Sequence, residues 1–511
     1  MMKKLASILF HRLTMTALLL VVQLALLLAM MGRFSAYFVY FYWFCIALSV
    51  AAVLWIVGNK SDPGYKIAWI IPILLFPVFG GLIYLLLGGN RLSPRQQRKM
   101  QGMDRQMASA LERDCKAEEL SGFGADAVNQ ARYLEQYAHA PAYNHTEATY
   151  FPLGDDAFPR MLEELRRAKR YIFVEYFIIE QGVFWDSILE VLEEKVREGL
   201  DVRVIYDDIG SLFTLPKDYA AQLEAKGIRC CVFNRFIPVL SLRLNNRDHR
   251  KLCIIDGHTG FTGGINLADE YINRAVKYGH WKDTAILLRG EAVWSMTVMF
   301  LTMWDYMRGE ECMEEFRPAS LPPECAHCGD YFVQPYTDSP LDGEPVGETV
   351  YLNLINKAKK YIYLTTPYLI VSNSVNTALC NAAKAGVDVR IITPHIPDKK
   401  VIFEVTRAHY ESLLEAGVQI FEYTPGFMHG KNFVVDDQFG TVGTVNMDYR
   451  SMFLHFEDGV WLCGAPCLRD IKEDFLRTQA QSERITLQRC RAHSGMRRLF
   501  RAVLRILAPL M

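Results

Sequence analysis

No sign of charge predominates in this chain of 511 residues: 56 lysines and arginines stand against 57 aspartates and glutamates, a formal balance of −1. Binders of nucleic acid usually carry a basic excess, so no nucleic-acid partner is expected. A disulfide framework is missing as well. Of the twelve cysteines, Cys45 lies in a long apolar stretch, Cys253 lies in an apolar run that reads as a strand, and the others are scattered. Free thiols in a reducing compartment are the expectation. The third absence is a metal-ligand cluster. Cys325-Ala326-His327-Cys328 is a lone C-x-x-C with one histidine inside it; a structural zinc needs four ligands, and no second pair stands nearby. The expectation is therefore no metal and no cofactor.

Charge is also absent, locally, from three long stretches near the N-terminus. Leu13 to Met31 is interrupted only by Thr14, Thr16 and Gln23, while Tyr37 to Val57 and Ile67 to Leu87 contain no charged residue. They bring the hydrophobic share to 51% and the mean hydropathy to +0.05. About 20 apolar residues suffice for a helix to cross the hydrocarbon core. The first stretch is longer than the ~7–15 residues of a signal peptide's apolar region and no A-x-A-like site follows it. Two to three hydrophobic membrane helices are thus expected over residues 1–91. Arg91, Arg95, Arg98 and Lys99 follow the third stretch and argue for a cytoplasmic catalytic body. Lys3, Lys4 and Arg12 ask for the same side, which three full crossings cannot satisfy. Either the first stretch does not span, or Pro72, Pro77, Gly80 and Gly81 break the third into a re-entrant or interfacial hairpin.

What the rest of the chain has is a repeat. His249-Arg250-Lys251-Leu252-Cys253-Ile254-Ile255-Asp256 recurs as His429-Gly430-Lys431-Asn432-Phe433-Val434-Val435-Asp436, and each copy reaches an asparagine, Asn266 or Asn446, seventeen residues after its histidine. Around each copy the same elements recur. Tyr171 matches Tyr361 at an offset of 190, Asp201 matches Asp388 at 187, and His249 matches His429 at 180. Loop lengths have diverged while the elements persisted. Strands alternating with helices predict an α/β fold: two fused domains, each a mostly parallel sheet flanked by helices. The expected order is membrane region 1–91, helical connector 92–145, first domain 146–316, Pro-rich linker 317–340, second domain 341–492 and an amphipathic C-terminal helix 493–511.

The repeated residues suit attack on a phosphodiester. In a strand, His249 and Lys251 share a face, as do His429 and Lys431. One half offers one imidazole, which is too little; two halves offer a nucleophile and an acid. Lys251, Lys431, Asn266 and Asn446 would hold the non-bridging oxygens, and such pre-placed donors contribute about 3–4 kcal/mol each. A nucleophilic imidazole also needs an acceptor on its other nitrogen, and Asp283 and Glu457 are the candidates. Asp256 and Asp436 complete the catalytic motifs. For them, bonding to backbone at the strand's end is favoured over proton transfer.

These motifs resemble those of the phospholipase D superfamily. Gly260 to Tyr271, Gly279 to Thr284, Tyr206 to Ser211 and Thr366-Pro367-Tyr368 resemble bacterial cardiolipin synthases more narrowly, as does the apolar N-terminus ending Leu86-Leu87-Gly88-Gly89-Asn90-Arg91. The resemblance implies transfer of a phosphatidyl group between two phosphatidylglycerol molecules, giving cardiolipin and glycerol through a phosphohistidine. It assigns His249 as nucleophile and His429 as acid, and it implies a multi-pass protein of the cell membrane. Water, or another alcohol such as serine or ethanolamine, would be an alternative acceptor. His455 departs from the family pattern, where asparagine is usual. The C-terminal arginines of Met496 to Leu507 recur at spacings of three and four between apolar residues, which reads as a basic amphipathic helix on anionic lipid.

Overall fold

The computed structural model describes residues 25, 28–29, 38–59, 62–76, 80–81, 84, 94–112, 117–235, 246–310, 313–323 and 329–510. The chain divides into two compact units, one of residues 1–91, 235–246 and 506–511, the other of residues 92–234 and 247–505.

In the first unit, Phe38–Gly58 is a helix of 21 residues without a charged side chain. Val39, Trp43, Phe44, Leu54 and Trp55 on it are exposed, whereas Cys45, Ser49, Ala52 and Ile56 are buried at helical spacing. A second helix, Pro63–Leu75, starts at Asp62, whose carboxylate accepts the backbone N–H of Gly64 at 2.7 Å. At 13 residues it is about 20 Å long, too short for a ~30 Å hydrocarbon core. Beyond it the chain folds back. A Cβ on Gly80 would lie 2.4 Å from Ile73 Cα, and one on Gly81 would lie 2.8 Å from Ser49 Oγ, so glycine alone permits this approach. The helix of the third apolar stretch thus ends at Leu75, and residues 77–79, 82, 83 and 85–93 lie outside the described residues. Among the described residues no helix is long and apolar enough to cross a membrane. The first stretch, Leu13 to Met31, lies almost wholly outside the described residues, as do Cys325, His327 and Cys328.

The second unit carries the repeat. Its first sheet contains β1 (Thr146–Phe151), β2 (Tyr171–Tyr176), β3 (Asp201–Asp207), β4 (Arg229–Phe233), β5 (Lys251–Ile255), β6 (Thr259–Gly263) and β7 (Ala285–Gly290), in the order β1-β7-β6-β5-β2-β3-β4. The second contains β8 (Phe332–Asp338), β9 (Tyr361–Thr365), β10 (Asp388–Pro394), β11 (Gln419–Tyr423), β12 (Asn432–Val435), β13 (Phe439–Gly443), β14 (His455–Cys463) and β15 (Ser482–Ile485), in the order β8-β14-β13-β12-β9-β10-β11-β15. Apart from the added β15 the two orders are the same, which is the duplication in three dimensions.

Each sheet is mixed, and this corrects the expectation of a mostly parallel one. Among the strands of these two orders, only β2-β3-β4 and β9-β10-β11 run parallel. The motif strands β5 and β12 turn back directly into β6 and β13 as hairpins. The turns place Asp256 and Gly257 at φ 54° and 74°, and Asp436 and Asp437 at φ 55° and 60°, left-handed positions that Asp and Gly tolerate best. The linker is a second correction. Phe332–Asp338, inside the supposed 317–340 linker, is the edge strand β8, antiparallel to β14. An edge strand tolerates the missing N–H of Pro335. A third concerns residues 92–145. Their helices do not merely connect, since Ala117, Leu120, Ala127, Ala131 and Leu134 are buried in one apolar cluster with Ile362, Leu364 and Phe433 of the second sheet.

Candidate active site

Each motif histidine is placed by the opposite half of the repeat. The segment before the first motif, Arg247–Asp248, runs parallel to His455-Phe456 at the start of β14, and His249 N–H donates to the Phe456 carbonyl at 2.9 Å. The segment before the second, Gly426–Met428, runs parallel to His280–Lys282, and His429 N–H donates to the Lys282 carbonyl at 2.7 Å. Backbone pairing so short is reinforced by buried ion pairs. Asp207, at the end of β3, takes the Arg247 guanidinium at 3.3 Å and the Asp248 N–H at 3.2 Å.

The side chains cross over in the same way. His249 Nδ1 lies 2.8 Å and 3.0 Å from the two oxygens of Glu457, and His429 Nδ1 lies 2.5 Å from Asp283 Oδ2. Both carboxylates are fully buried. Asp283 and Glu457 are therefore brought to histidines, each to that of the other half. Position along the chain would instead pair each with the histidine it follows, Asp283 with His249 and Glu457 with His429. With Nδ1–H donated to a carboxylate, each ring exposes an Nε2 lone pair. Lys431 Nζ also lies 2.9 Å from His429 Nδ1, but a nitrogen that donates to Asp283 cannot accept from an ammonium. The lysine proton goes instead to the His429 carbonyl, as that of Lys251 goes to the His249 carbonyl.

Burial sets the charge state. It pushes His249 down to about 3, against the opposing pull of Glu457, and His429 down to about 4, with Lys431 acting in the same direction. It also takes Lys251 down to about 7 and Lys431 down to about 8. Burial alone would raise Glu457, but His249 beside it holds it well below the usual carboxylate range. At neutral pH both imidazoles are unprotonated, Lys431 is still largely charged and Lys251 is near its midpoint.

The loop after each hairpin supports the carboxylates differently in the two halves. Where the first has Gly264, a Cβ would lie 2.0 Å from Asp283 Oδ1. Where the second has Thr444, its hydroxyl donates to Glu457 Oε2. The two asparagines also diverge. Asn266 is committed to the fold, accepting from Ile178 N–H at 3.1 Å and donating to Tyr271 Oη at 2.7 Å, whereas Asn446 keeps a buried Oδ1 without a partner. Asp256 and Asp436 lie at the far ends of β5 and β12. Asp256 accepts the backbone N–H of Lys169, Arg170 and Tyr171 at 2.8, 2.8 and 3.0 Å, and Asp436 accepts those of Lys359, Lys360 and Tyr361 at 2.6, 2.8 and 2.8 Å. They tie strands together, the bonding to backbone that was favoured for them over proton transfer.

Several site residues were not singled out in the sequence. Tyr271, Trp281 and Phe427 surround the His429 ring at centroid distances of 5.6 Å, and Phe177 meets His249 at 5.1 Å. Asp458, pushed up to about 7 by burial, takes Thr262 Oγ1 and the Lys251 N–H. Only position relative to the motifs could have suggested them, since an aromatic or threonine carries no distinctive spacing.

A family described as "Cardiolipin synthase, PLD-like domain" matches residues 161–291 and 351–478, one match per half of the repeat, and "Phospholipase_D-nuclease N-terminal" matches 47–89. The chain belongs to the phospholipase D-like cardiolipin synthase family. It is 35% identical to cardiolipin synthase 2 of Bacillus anthracis over 89% of this chain and 88% of that one. Identity to the cardiolipin synthase of Geobacillus kaustophilus is 33% over 91% and 92%. An uncharacterized protein of Streptococcus mutans is 41% identical over 90% of this chain and the whole of its own. Among solved structures, the phosphatidylserine synthase of Haemophilus influenzae superposes with a TM-score of 0.56 at 14% identity, over 71% of this chain and 95% of that one, a likeness of fold.

Proposed function

We propose that this protein is a phosphatidyltransferase that makes cardiolipin from two molecules of phosphatidylglycerol. The reading rests chiefly on the crossed His249–Glu457 and His429–Asp283 pairs, which supply two equivalent imidazoles where a displacement in two steps needs two. His249 Nε2 attacks phosphorus, and the bond to the glycerol oxygen breaks as that oxygen takes a proton from His429. A hydroxyl of the second phosphatidylglycerol then gives its proton to His429 while its oxygen attacks the phosphohistidine and releases His249. Lys251, Lys431 and Asn446 hold the non-bridging oxygens. The phosphodiester's negative charge raises the lysines and His429 toward their charged forms, so substrate binding itself arms the acid.

Membrane attachment belongs to the same reading. The exposed apolar side chains of Phe38–Gly58 suit contact with lipid, and the Pro63–Leu75 hairpin suits a re-entrant or interfacial position. Holding the site at the surface where both substrates reside raises their effective concentration. Exclusion of water from the pocket favours an alcohol as acceptor. Detergent-solubilised protein given head-group-labelled phosphatidylglycerol in mixed micelles should yield cardiolipin and free glycerol. Phosphatidic acid alone would make water the acceptor, and neither product would remove the reading.

A further inference from the structure

We infer that His249, His455 and Glu457 form a binding site for a divalent ion of the zinc class, and that occupancy of it switches off the nucleophile. Sequence reading sees no ligand cluster because these residues come from two halves, with the two histidines 206 positions apart. In the fold their donor atoms all lie within 4.8 Å of one another, in buried surroundings. His249 Nδ1 is 2.8 Å from Glu457 Oε2, His455 Nδ1 is 3.6 Å from Glu457 Oε1, and the two imidazole centroids are 5.5 Å apart.

His455 supplies the second observation. Its side chain is nine-tenths buried, and neither ring nitrogen has a hydrogen-bond partner. Buried ring nitrogens are rarely left so, and 3.6 Å to a carboxylate is too long for a hydrogen bond. A cation between the three groups would satisfy His455 and Glu457 at once. Two imidazoles and a carboxylate with one open position form a zinc-type set, whereas calcium and magnesium prefer oxygen ligands. Metal on His249 Nδ1 displaces the Nδ1 proton to Nε2. That nitrogen then has no lone pair for phosphorus, so the phosphohistidine cannot form.

The test is equilibrium dialysis and titration calorimetry of ZnCl2 with the metal-stripped, detergent-solubilised full chain. Wild-type protein should bind one more ion than His455→Asn or His455→Gln, or bind that ion at least tenfold more tightly, since even loss of an outer-sphere partner costs 10- to 100-fold. A Cys325→Ser/Cys328→Ser variant should keep the ion. Zinc should raise the melting temperature of the wild type and of the cysteine variant, but not of either His455 variant. Unchanged zinc binding in both His455 variants, or its loss in the cysteine variant alone, would overturn the inference. Binding is read without any lipid, so failure of the cardiolipin reading would leave this arm standing. In the transfer assay zinc should inhibit the wild type, and the midpoint should rise at least tenfold in His455→Asn.

Discussion

At the scale of single residues, the two histidines have the same kind of carboxylate partner and different proposed tasks, and the leaving group separates them. With a phosphatidyl ester of p-nitrophenol, whose anion leaves without protonation, His429→Ala should release a burst of about one equivalent of nitrophenol by stopped-flow absorbance. His249→Ala should release none, because no nucleophile remains. A burst from His249→Ala would exchange the assignments. The lysines set the pH dependence. Lys251 and Lys431 are lowered by burial to about 7 and about 8, so in the free enzyme both lose their charge as pH rises through that window. The value of kcat/KM, which reports the free enzyme, should therefore fall above pH 7 to 8. A bound phosphodiester holds the protons, so kcat should hold to higher pH. The sign for stability is opposite. Between about pH 7 and the ordinary lysine range the unfolded chain carries more protons than the folded one, so these two groups destabilise the fold most at low pH and their cost fades as pH rises. Histidine, lysine and asparagine were legible in the sequence because they recur at fixed spacing. Their crossed partners were not, since a contact such as His249 to Glu457 spans 208 positions and nothing local encodes which half supplies it.

At the scale of elements, the hairpin after each motif explains residues that chemistry does not. Asp256 accepts three backbone N–H groups and sits at φ 54°. Asp256→Ala should cost about 3 kcal/mol, from lost charge-assisted hydrogen bonds and a strained left-handed alanine. Asp256→Asn keeps an acceptor and tolerates that φ, so its cost should be about 1 kcal/mol or less. Urea unfolding checks both, and folded protein of either variant should retain turnover. Equal costs would mean that the three bonds do not matter. Gly264 is the converse, a position of activity rather than stability. A methyl there meets Asp283 Oδ1 at 2.0 Å and must push the carboxylate off His429. A displacement of that order costs about 100-fold in rate, so Gly264→Ala should lose about 100-fold in kcat while its circular dichroism stays native. The Asp256-Gly257 turn was readable as a hairpin signal, and weighing it would have corrected the parallel sheet. Pro335 misled in the other direction, because a proline says turn or edge strand and only the pairing decides.

At the scale of the whole molecule, the crossed pairs make the repeat one enzyme rather than two domains, and the C-terminal helix bears on how that enzyme meets lipid. The sequence suggested that its arginines face anionic head groups. Arg497 and Arg501 instead both bind Glu404, at 2.5 and 2.8 Å, and hold that carboxyl down to about 2 despite its partial burial. Gly495–Leu507 leaves exposed Arg497, Arg498 and Arg505 together with five large apolar side chains, Met496, Leu499, Phe500, Val503 and Ile506. With two of its arginines held on Glu404 and five large apolar side chains outward, the helix would enter the interface chiefly by hydrophobic insertion, at roughly 1.5–3 kcal/mol for each large side chain fully buried. Flotation with phosphatidylglycerol-containing liposomes distinguishes the two modes. To remove the contribution of the N-terminal helices, the protein should be compared with its own Δ494–511 form at equal detergent depletion. Deletion should weaken association, and Leu499→Asp/Phe500→Asp should reproduce most of that loss. Arg498→Gln/Arg505→Gln, which leaves the Glu404 clamp intact, should matter less, and raising salt should reverse little of the binding. Strong salt dependence together with indifference to Leu499 and Phe500 would restore the electrostatic reading of the helix. No effect of the deletion would assign lipid contact to Phe38–Gly58 and its hairpin alone.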